Sequence, residues 1–423
     1  MQPELALCKP EYSLNLARYA IRSDTRKKEF PMCHRFSFAS VPALILASAV
    51  AVPALAQPAQ QSPSPRPISP EQAGVQVETV TSGLEHPWGL DFLPDGRMLV
   101  TEQPGRLRIV TRDGEVSEPI KNVPEVYVTG QGGLLDVLVD PDFESNRTIY
   151  LSYSEAGEGS IAGTAVARAR LNKAGTALED VAVIWRQQPK VKGPNHFGSR
   201  LVFGQNGKLF ITTGERFQFQ PAQDLSSGLG KVIRVNPDGS VPEDNPFVDR
   251  EGAQPQIWSY GHRNVQGAAI HPETGQLWTI EFGPFGGDEL NAPKAGGNYG
   301  WPIVSWGMNY DGTPIPDPPT HPELADAVYY WNPVISPSGM IFYTRELFDD
   351  WQGDILIASL GSVTSPVKPS LVRLALDGNE VAHETRIGLG ARIRDVAQGP
   401  GGAVFVLTDQ TDGEILRLTP ANP

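Results

Sequence analysis

From about residue 76 onward, the sequence repeats one pattern six times: an apolar run, a turn rich in Asp, Asn, Gly or Pro, and a second apolar run. In the first copy these parts are residues 88–92, 94–96 and 98–100. Groups of short strands joined by turns, with almost no long apolar period of 3.6 residues, predict an all-β fold. We expect a six-bladed β-propeller of four-stranded antiparallel blades. The apolar runs that open the six copies start at Trp88, Leu134, Leu201, Gly267, Gly339 and Ile393.

A propeller also needs a strand that closes its ring of blades. Residues 76–80 precede the first repeat and predict an outer strand that pairs with the last blade. A β-sandwich is the alternative fold, but the strands of a sandwich would not come in six matched groups.

Composition and net charge limit the kinds of molecule that the protein is expected to bind. The 423 residues include 43 Gly and 39 Pro, which indicates many turns. The formal net charge of −13 argues against nucleic acid and anionic membranes as partners. After the N-terminal region, no stretch reaches the roughly 18–20 apolar residues that a membrane span needs. We therefore expect no membrane span in the mature protein.

The N-terminal region has the order of an export signal. Arg35 supplies positive charge, residues 41–52 are apolar, and residues 54–56 form an Ala-Leu-Ala cleavage site. Because Met32 lies just upstream, residues 1–31 are interpreted as an over-extended start. This predicts a periplasmic or secreted protein cleaved after Ala56. A genuine unusual leader and an uncleaved anchor are the alternatives.

The chain therefore divides into three segments. Residues 1–56 are the over-extended start plus signal peptide, and residues 57–75, rich in Pro, Ser and Gln, are expected to be a disordered linker. Residues 76–423 form the propeller, which carries the candidate site. Both cysteines, Cys8 and Cys33, precede the cleavage site, so the mature protein is expected to have no disulfide bond.

Polar residues stand at equivalent strand ends in several repeats. In a propeller, the start of each innermost strand and the end of the next strand meet at one mouth of the central channel. Each of these residues alone is more typical of a turn or a solvated edge, but their convergence predicts a ligand site. The candidates are Gln131, His196, Glu215, Arg263, Asn264, Arg392 and Arg394.

A separate loop offers oxygen ligands. Asp288 and Glu289 are followed by the segment Gly-Gly-Asn-Tyr-Gly at residues 296–300. Calcium favours carboxylates and backbone carbonyls, although this loop matches no EF-hand spacing.

Six motifs carry a family resemblance. Together they resemble the soluble quinoprotein sugar dehydrogenases, especially the aldose sugar dehydrogenases, over about residues 76–420. Each motif alone is weak, whereas six in order are a specific signal. The resemblance implies that the propeller holds pyrroloquinoline quinone over the channel mouth. The motifs are GQGGLLD (130–136), NHFGSRLVF (195–203), WSYGHRNVQG (258–267), GGDELN (286–291), GGNYGWP (296–302) and RIRDV (392–396).

The resemblance also implies residue roles. His196 would be the general base that takes the proton of the anomeric hydroxyl, Glu215 would orient it, and Arg263 would stabilise charge on the quinone oxygen. Calcium would bind the carbonyls of Gly283 and Pro284, and at a further site Glu289 and the Tyr299 carbonyl. Arginines suit the carboxylates of the quinone. The implied cofactor-binding residues are Gln131, Arg263, Asn264, Tyr310, Arg392 and Arg394.

The chain departs from the family pattern in two places. Gly361 stands where the family commonly has a lysine directed at the cofactor, and Lys368 is the candidate replacement from a longer loop. Phe282 and Phe285 flank the Gly-Pro pair, where relatives often have polar residues. These changes predict weaker quinone binding and a preference for larger or less polar alcohols.

The expected function is oxidation of aldose sugars to lactones, with an unidentified electron acceptor as a second partner. One alternative is a non-catalytic propeller that binds sugars or protein partners, which leaves the coincidence of His, Gln and Arg-Asn unexplained. The other is a calcium-dependent lactonase. A lactonase needs side-chain carboxylates at the channel centre, where this chain offers arginines.

Overall fold

The computed structural model describes residues 59–362 and 366–421. It is a six-bladed β-propeller, as predicted, with each blade an antiparallel sheet whose first strand is innermost. The predicted signal peptide and cleavage site lie outside the described residues. No helix in the part that the structure describes is both long and apolar enough to cross a membrane.

The blades follow one another along the chain. Blade 1 comprises Pro87–Phe92, Met98–Glu102 and Arg106–Val110, extended by a single bridge from Val110 to Val116. Blade 2 comprises Leu134–Val139, Thr148–Ala156, Ala162–Leu171 and Leu178–Arg186. Blade 3 comprises Leu201–Phe203, Leu209–Thr212, Lys231–Val235 and Ile257–Tyr260. Blade 4 comprises Val265–Ile270, Leu277–Glu281, Asp288–Asn291 and Tyr329–Trp331, with Gln60–Gln61 added in parallel.

Blade 5 comprises Pro337–Phe342, Ile355–Ser359, Ser370–Asp377 and Glu380–Ile387. Blade 6 comprises Ile393–Gln398, Val404–Thr408 and Gly413–Pro420, and its outermost strand is Val75–Leu84. The predicted closing strand is therefore confirmed, because Gln76 pairs with Thr419 and Val77 with Leu418. The remaining elements are a small ladder of Phe285–Gly286 with Gly307–Met308, the helix Phe143–Asn146, and the 3₁₀ turns Gln220–Gln223, Pro318–Thr320 and Asp349–Trp351.

Residues 60–75 differ from the expected disordered spacer. They run along blades 4 and 5, where Gln60–Gln61 pairs with the strand Tyr329–Trp331 and Ile68 bridges to Ile387. The Ser62 hydroxyl donates to the buried carboxylate of Glu384 at 2.5 Å. A segment with little apolar surface is held here because open strand edges and a buried carboxylate supply hydrogen-bond partners.

Strands sandwiched between blades are apolar on both faces. In Ile355–Ser359 every residue is buried. Ile355 and Ile357 belong to the core shared with blade 4, which includes Trp278 and Leu290, whereas Leu356 and Ala358 belong to the core shared with blade 6. Side chains alternate between the faces of a strand, so one short run supplies two interblade cores. This is why the repeats appear in the sequence as continuous apolar runs.

Buried carboxylates join the blades near the channel. Asp136 of blade 2 accepts the backbone N–H of Leu201 in blade 3 at 2.8 Å, and Asp395 of blade 6 accepts that of Leu90 in blade 1 at 3.0 Å. Arg200 lies between the two carboxylates, 2.8 Å from Asp136 and 3.0 Å from Asp395. Burial raises the pKa of Asp136 to about 7, an effect that the Arg200 charge opposes. One guanidinium thus connects blades 2, 3 and 6.

Removing this guanidinium is expected to be strongly destabilising. Arg200→Met leaves two buried carboxylates unpaired and should lower the free energy of unfolding by about 3–5 kcal/mol. Arg97→Met is the control, since Arg97 pairs with Asp95 at 2.7 Å on the exposed surface and such pairs contribute at most about 1 kcal/mol. Chemical denaturation measures both. Equal losses in the two variants would show that Arg200 does not hold the blades.

Candidate active site

The innermost strands begin at one end of the channel, called the mouth here. A cavity of about 500 Å³ opens there. It brings together nine of the twelve residues to which the resemblance gives catalytic, cofactor-binding or metal-binding roles, from blades 2, 3, 4 and 6 and their connecting loops. They are Gln131, His196, Arg263, Asn264, Gly283, Pro284, Tyr310, Arg392 and Arg394.

His196 is held in one orientation by three contacts. Its backbone lies in the left-handed region at φ 55°, and its N–H donates to Gln131 Oε1 at 2.7 Å. Its ring Nδ1 lies 2.5 Å from Glu215 Oε1, and the ring of Phe217 meets it edge-on at 5.2 Å. Only 5 % of His196 is exposed. Nδ1 is therefore occupied by Glu215, which leaves Nε2 as the ring atom free to accept a proton.

Burial keeps this histidine neutral. Desolvation lowers the pKa of His196 below its usual 6.5, and the positive charge of Arg263 adds to the effect, while Glu215 opposes both. Burial alone would raise the pKa of Glu215, but its hydrogen bond with His196 and the N–H of Phe219 at 2.6 Å lower it overall. The pair is a neutral imidazole beside an ionised carboxylate, as a general base with an orienting partner requires.

Arg263 lies at the centre of a second group. Its Nη1 donates to the Gly283 carbonyl at 2.6 Å, and its Nη2 lies 3.3 Å from the Tyr310 hydroxyl. The guanidinium carbon stands 5.2 Å from the centre of the Trp301 ring. Its backbone N–H donates to Glu281 Oε2 at 2.6 Å. These contacts fix a positive charge on the cavity wall.

Arg392 and Arg394 share one acid that the sequence analysis missed. Asp409 Oδ2 accepts from Arg392 Nη2 at 2.9 Å and from Arg394 Nη2 at 3.0 Å. Asp409 directly follows the second strand of blade 6, just as Glu215 closely follows that of blade 3. This shared position, just after the second strand of a blade, is the sequence feature that could have identified Asp409. Three further cavity residues were also missed, because they lie within an apolar run or directly after one. They are Trp88, Gln103 and Gln266.

Three predicted residues do not line the main cavity. Glu215 lies behind His196, whereas Glu289 and Tyr299 line an adjoining cavity of about 10 Å³ together with Gly283 and Pro284. Asn291 Nδ2 bridges Glu281 and Glu289 at 3.1 and 3.2 Å. Within residues 59–362 and 366–421, no three His, Cys, Asp or Glu side chains form a metal-binding group. Backbone carbonyls would have to complete any calcium site here.

The segment around Gly361 explains why a lysine does not fit there. Gly361 lines the cavity with φ 66°, and a Cβ atom at this position would come within 2.6 Å of the Pro369 backbone nitrogen. Lys368 is exposed and does not line the cavity. The described part of this loop therefore supplies no direct replacement for the family lysine.

The cavity suits an anionic, oxygen-rich cofactor. Three arginines face it together with the side chains of Gln131 and Asn264. The Nε atoms of Arg263 and Arg394 are buried without a hydrogen-bond partner among the described residues. Unused buried donors are costly unless a ligand satisfies them.

Comparison with known proteins agrees with this chemistry. The family model described as glucose/sorbosone dehydrogenase matches residues 84–417. This chain belongs to that family. It is 42 % identical over 397 residues to the aldose sugar dehydrogenase YliI of Escherichia coli, covering 92 % of this chain and 100 % of the relative.

Solved structures give the same picture. A glucose dehydrogenase superposes with a TM-score of 0.78 at 46 % identity, covering 81 % of this chain and 99 % of the other. The PQQ-bound aldose sugar dehydrogenase of Streptomyces coelicolor superposes with a TM-score of 0.66 at 30 % identity, covering 82 % and 98 %. The family relationship thus extends over the whole propeller.

Proposed function

We propose that this protein oxidises the anomeric hydroxyl of aldose sugars to lactones, using bound pyrroloquinoline quinone. The observation that carries the proposal is the His196–Glu215 pair beside an arginine-lined cavity, in a chain of this family. The named activity of the Escherichia coli relative and the quinone bound to the Streptomyces coelicolor relative support it. Among the described residues the cavity wall carries three arginines and the carboxylate of Asp409 alone, which favours a dehydrogenase over a calcium-dependent lactonase.

The cofactor would be held by charge and by forked donors. Arg392 and Arg394 offer guanidinium groups to its carboxylates, and Arg263 offers one near its quinone oxygens. Gln131 and Asn264 add amide donors, and the Tyr310 ring, 60 % exposed, adds a stacking surface. When bound, pyrroloquinoline quinone supplies an electron-poor ortho-quinone that accepts the hydride from C1 of the sugar.

The chain itself manages the proton. His196 Nε2 takes the proton of the anomeric hydroxyl, so that the sugar loses one proton and one hydride and becomes a lactone. Glu215 stabilises the imidazolium that forms. Arg263 would stabilise negative charge on the quinone oxygen of a bound cofactor. A separate electron acceptor would then remove the two electrons and complete the cycle.

Exposed aromatic rings form one side of the mouth. Phe285 is 45 % exposed and Phe217 is 39 % exposed, and Phe217 stacks with Tyr310 at 6.3 Å. Aromatic faces bind apolar surfaces and exclude water. We infer that this rim favours larger or less polar alcohols.

Replacing the base tests this mechanism. His196→Gln keeps a polar side chain of similar reach but removes the proton acceptor, so kcat should fall by about 10²–10⁴-fold, the usual contribution of a positioned base. Quinone binding, measured by titration of the apoprotein, should change little. A folded, quinone-loaded variant that retains wild-type kcat would contradict the mechanism.

Glu215→Gln is the matched control. It should reduce kcat less than His196→Gln, because the base remains. Since the carboxylate raises the pKa of His196, its loss should move the acidic limb of the pH–kcat profile to lower pH. In wild type, activity should fall as the pH drops through the lowered His196 pKa.

We further propose that calcium binds in and beside the small cavity that adjoins the main one. Burial and the nearby Glu281 raise the pKa of Glu289 well above its usual range, and a divalent cation would neutralise both carboxylates. Glu289 and the Tyr299 carbonyl would bind one ion. The Gly283 and Pro284 carbonyls would bind the catalytic ion, in place of the hydrogen bond that Gly283 now accepts from Arg263.

Calcium should therefore raise the thermal midpoint of the apoprotein. A ligand at 100 times its Kd that binds only the folded state adds about 2.7 kcal/mol of stability. Differential scanning calorimetry with and without chelator measures the shift, and Glu289→Gln should reduce it. If exhaustive chelation changes neither the midpoint nor the activity, the calcium proposal is wrong.

Export is proposed from the N-terminal residues. Mass spectrometry of the protein from its native host should give an N-terminus at or near Gln57, because the small residues 54–56 form a cleavage site. A mature protein that retains Cys33 would contradict export by this route.

A further inference from the structure

Arg216 is a fully buried cation with no role in the chemistry described so far. Its exposed fraction is 0 %, and burial lowers its pKa to about 10. Its Nε donates to the Asn195 carbonyl at 2.8 Å, its Nη1 to the Ala162 carbonyl at 2.6 Å, and its Nη2 to the Gly193 carbonyl. All three partners are backbone carbonyls. The hydrogen bonds of this guanidinium therefore hold main chain and do not neutralise an acid.

The carbonyls held by Arg216 belong largely to the loop that carries His196. Asn195 directly precedes the histidine. Phe197 directly follows it, and the guanidinium carbon of Arg216 lies 3.6 Å from the centre of the Phe197 ring. Arg216 thus contacts both neighbours of His196, one by a hydrogen bond and the other by a cation–π contact.

The His196 loop and the segment that carries Arg216 both need contacts that fix their conformation, because their backbones are strained. His196 and Ser199 have φ values of 55° and 89°, and Arg216 and Phe217 have values of 59° and 60°. Residues with side chains rarely adopt this left-handed region, and they persist there only when surrounding contacts fix them. Without the guanidinium, the loop would be free to relax toward ordinary backbone angles.

Two consecutive residues, Glu215 and Arg216, join the segment after the second strand of blade 3 to the His196 loop. Glu215 binds the His196 ring at 2.5 Å, and Arg216, the next residue, binds the backbone just before His196 and stacks on the side chain of Phe197 just after it. From this geometry we propose that Arg216 is a positioning residue: it holds the His196 loop so that the imidazole meets Glu215 and directs Nε2 into the cavity. This inference rests on the proposed function for its effect on rate, but not for its effect on the His196–Glu215 contact.

The test compares two buried arginines of blade 3. Arg216→Lys keeps the charge but loses the planar fork that reaches three carbonyls. Arg234→Lys is the control, because Arg234 is 2 % exposed, pairs with Asp244 at 2.9 Å and lies 4.9 Å from the Trp258 ring. The contacts of Arg234 do not include the His196 loop.

The first readout is steady-state kinetics of the quinone-loaded protein. Arg216→Lys should lower kcat by about 10- to 100-fold, since small misplacement of a catalytic group has effects of this size. KM should change less than about threefold, because Arg216 does not line the cavity. Arg234→Lys should leave both constants near wild type. Equal losses of kcat in the two variants would show that Arg216 has only a structural role.

The second readout needs neither sugar nor cofactor. A short, buried histidine–carboxylate hydrogen bond gives a far-downfield proton resonance, and the residues that the structure describes contain two buried pairs of this kind, His196–Glu215 and His262–Glu281 at 2.8 Å. His196→Gln assigns the first resonance. Arg216→Lys should shift or broaden that resonance and leave the His262 resonance unchanged. An unchanged His196 resonance in Arg216→Lys would overturn the proposal.

Two outcomes separate this inference from the proposed function. If the wild type does not oxidise aldoses, the proposed function fails, while the resonance still decides whether Arg216 positions His196. If Arg216→Lys does not fold, Phe197→Leu carries the same test, because it removes the ring on which the guanidinium stacks. Phe197→Leu should also shift or broaden the His196 resonance, and an unchanged resonance in this variant would again overturn the proposal.

Discussion

The structure depends on closure of the ring by hydrogen bonds between Val75–Leu84 and Gly413–Pro420. A propeller whose last blade lacked this outer strand would have an open edge, and the N-terminal and C-terminal ends of the propeller would no longer share a sheet. Closure fixes the position of blade 6, and with it Arg392 and Arg394, relative to His196 in the loop before blade 3. The mouth therefore becomes a single site although its residues are distant in the sequence.

Charge inside this ring is distributed by a simple rule. Near the channel, carboxylates accept backbone N–H groups of the next blade, and Arg200 balances two of them. At the mouth the balance reverses, since Arg263, Arg392 and Arg394 face the cavity while Asp409 compensates only part of their charge. Although the protein as a whole is acidic, it thus presents positively charged hydrogen-bond donors in the cavity at the mouth. That arrangement favours an anionic ligand in the cavity.

The sequence predicted the propeller well because each innermost strand is followed by a turn and a second apolar run. The strands Leu134–Val139, Leu201–Phe203 and Ile393–Gln398 begin at the residues where the predicted apolar runs start. Residues 60–75 were missed because their partners are strand edges and Glu384, which composition does not reveal. His196 was found from its place before an inner strand. Asp409 and Arg216 were missed because their importance lies in contacts made through space.

We propose that the mouth of this propeller binds pyrroloquinoline quinone and uses it to oxidise aldoses. The most direct measurement is an anaerobic single turnover: apoprotein is loaded with quinone and calcium and mixed with a panel of aldoses, and the absorbance of bound quinone is followed. We expect rapid reduction of the quinone, stoichiometric formation of lactone, and slower reduction when C1 of the sugar carries deuterium. Bound quinone that stays oxidised with every aldose, or a protein that retains no quinone, would refute the proposed function.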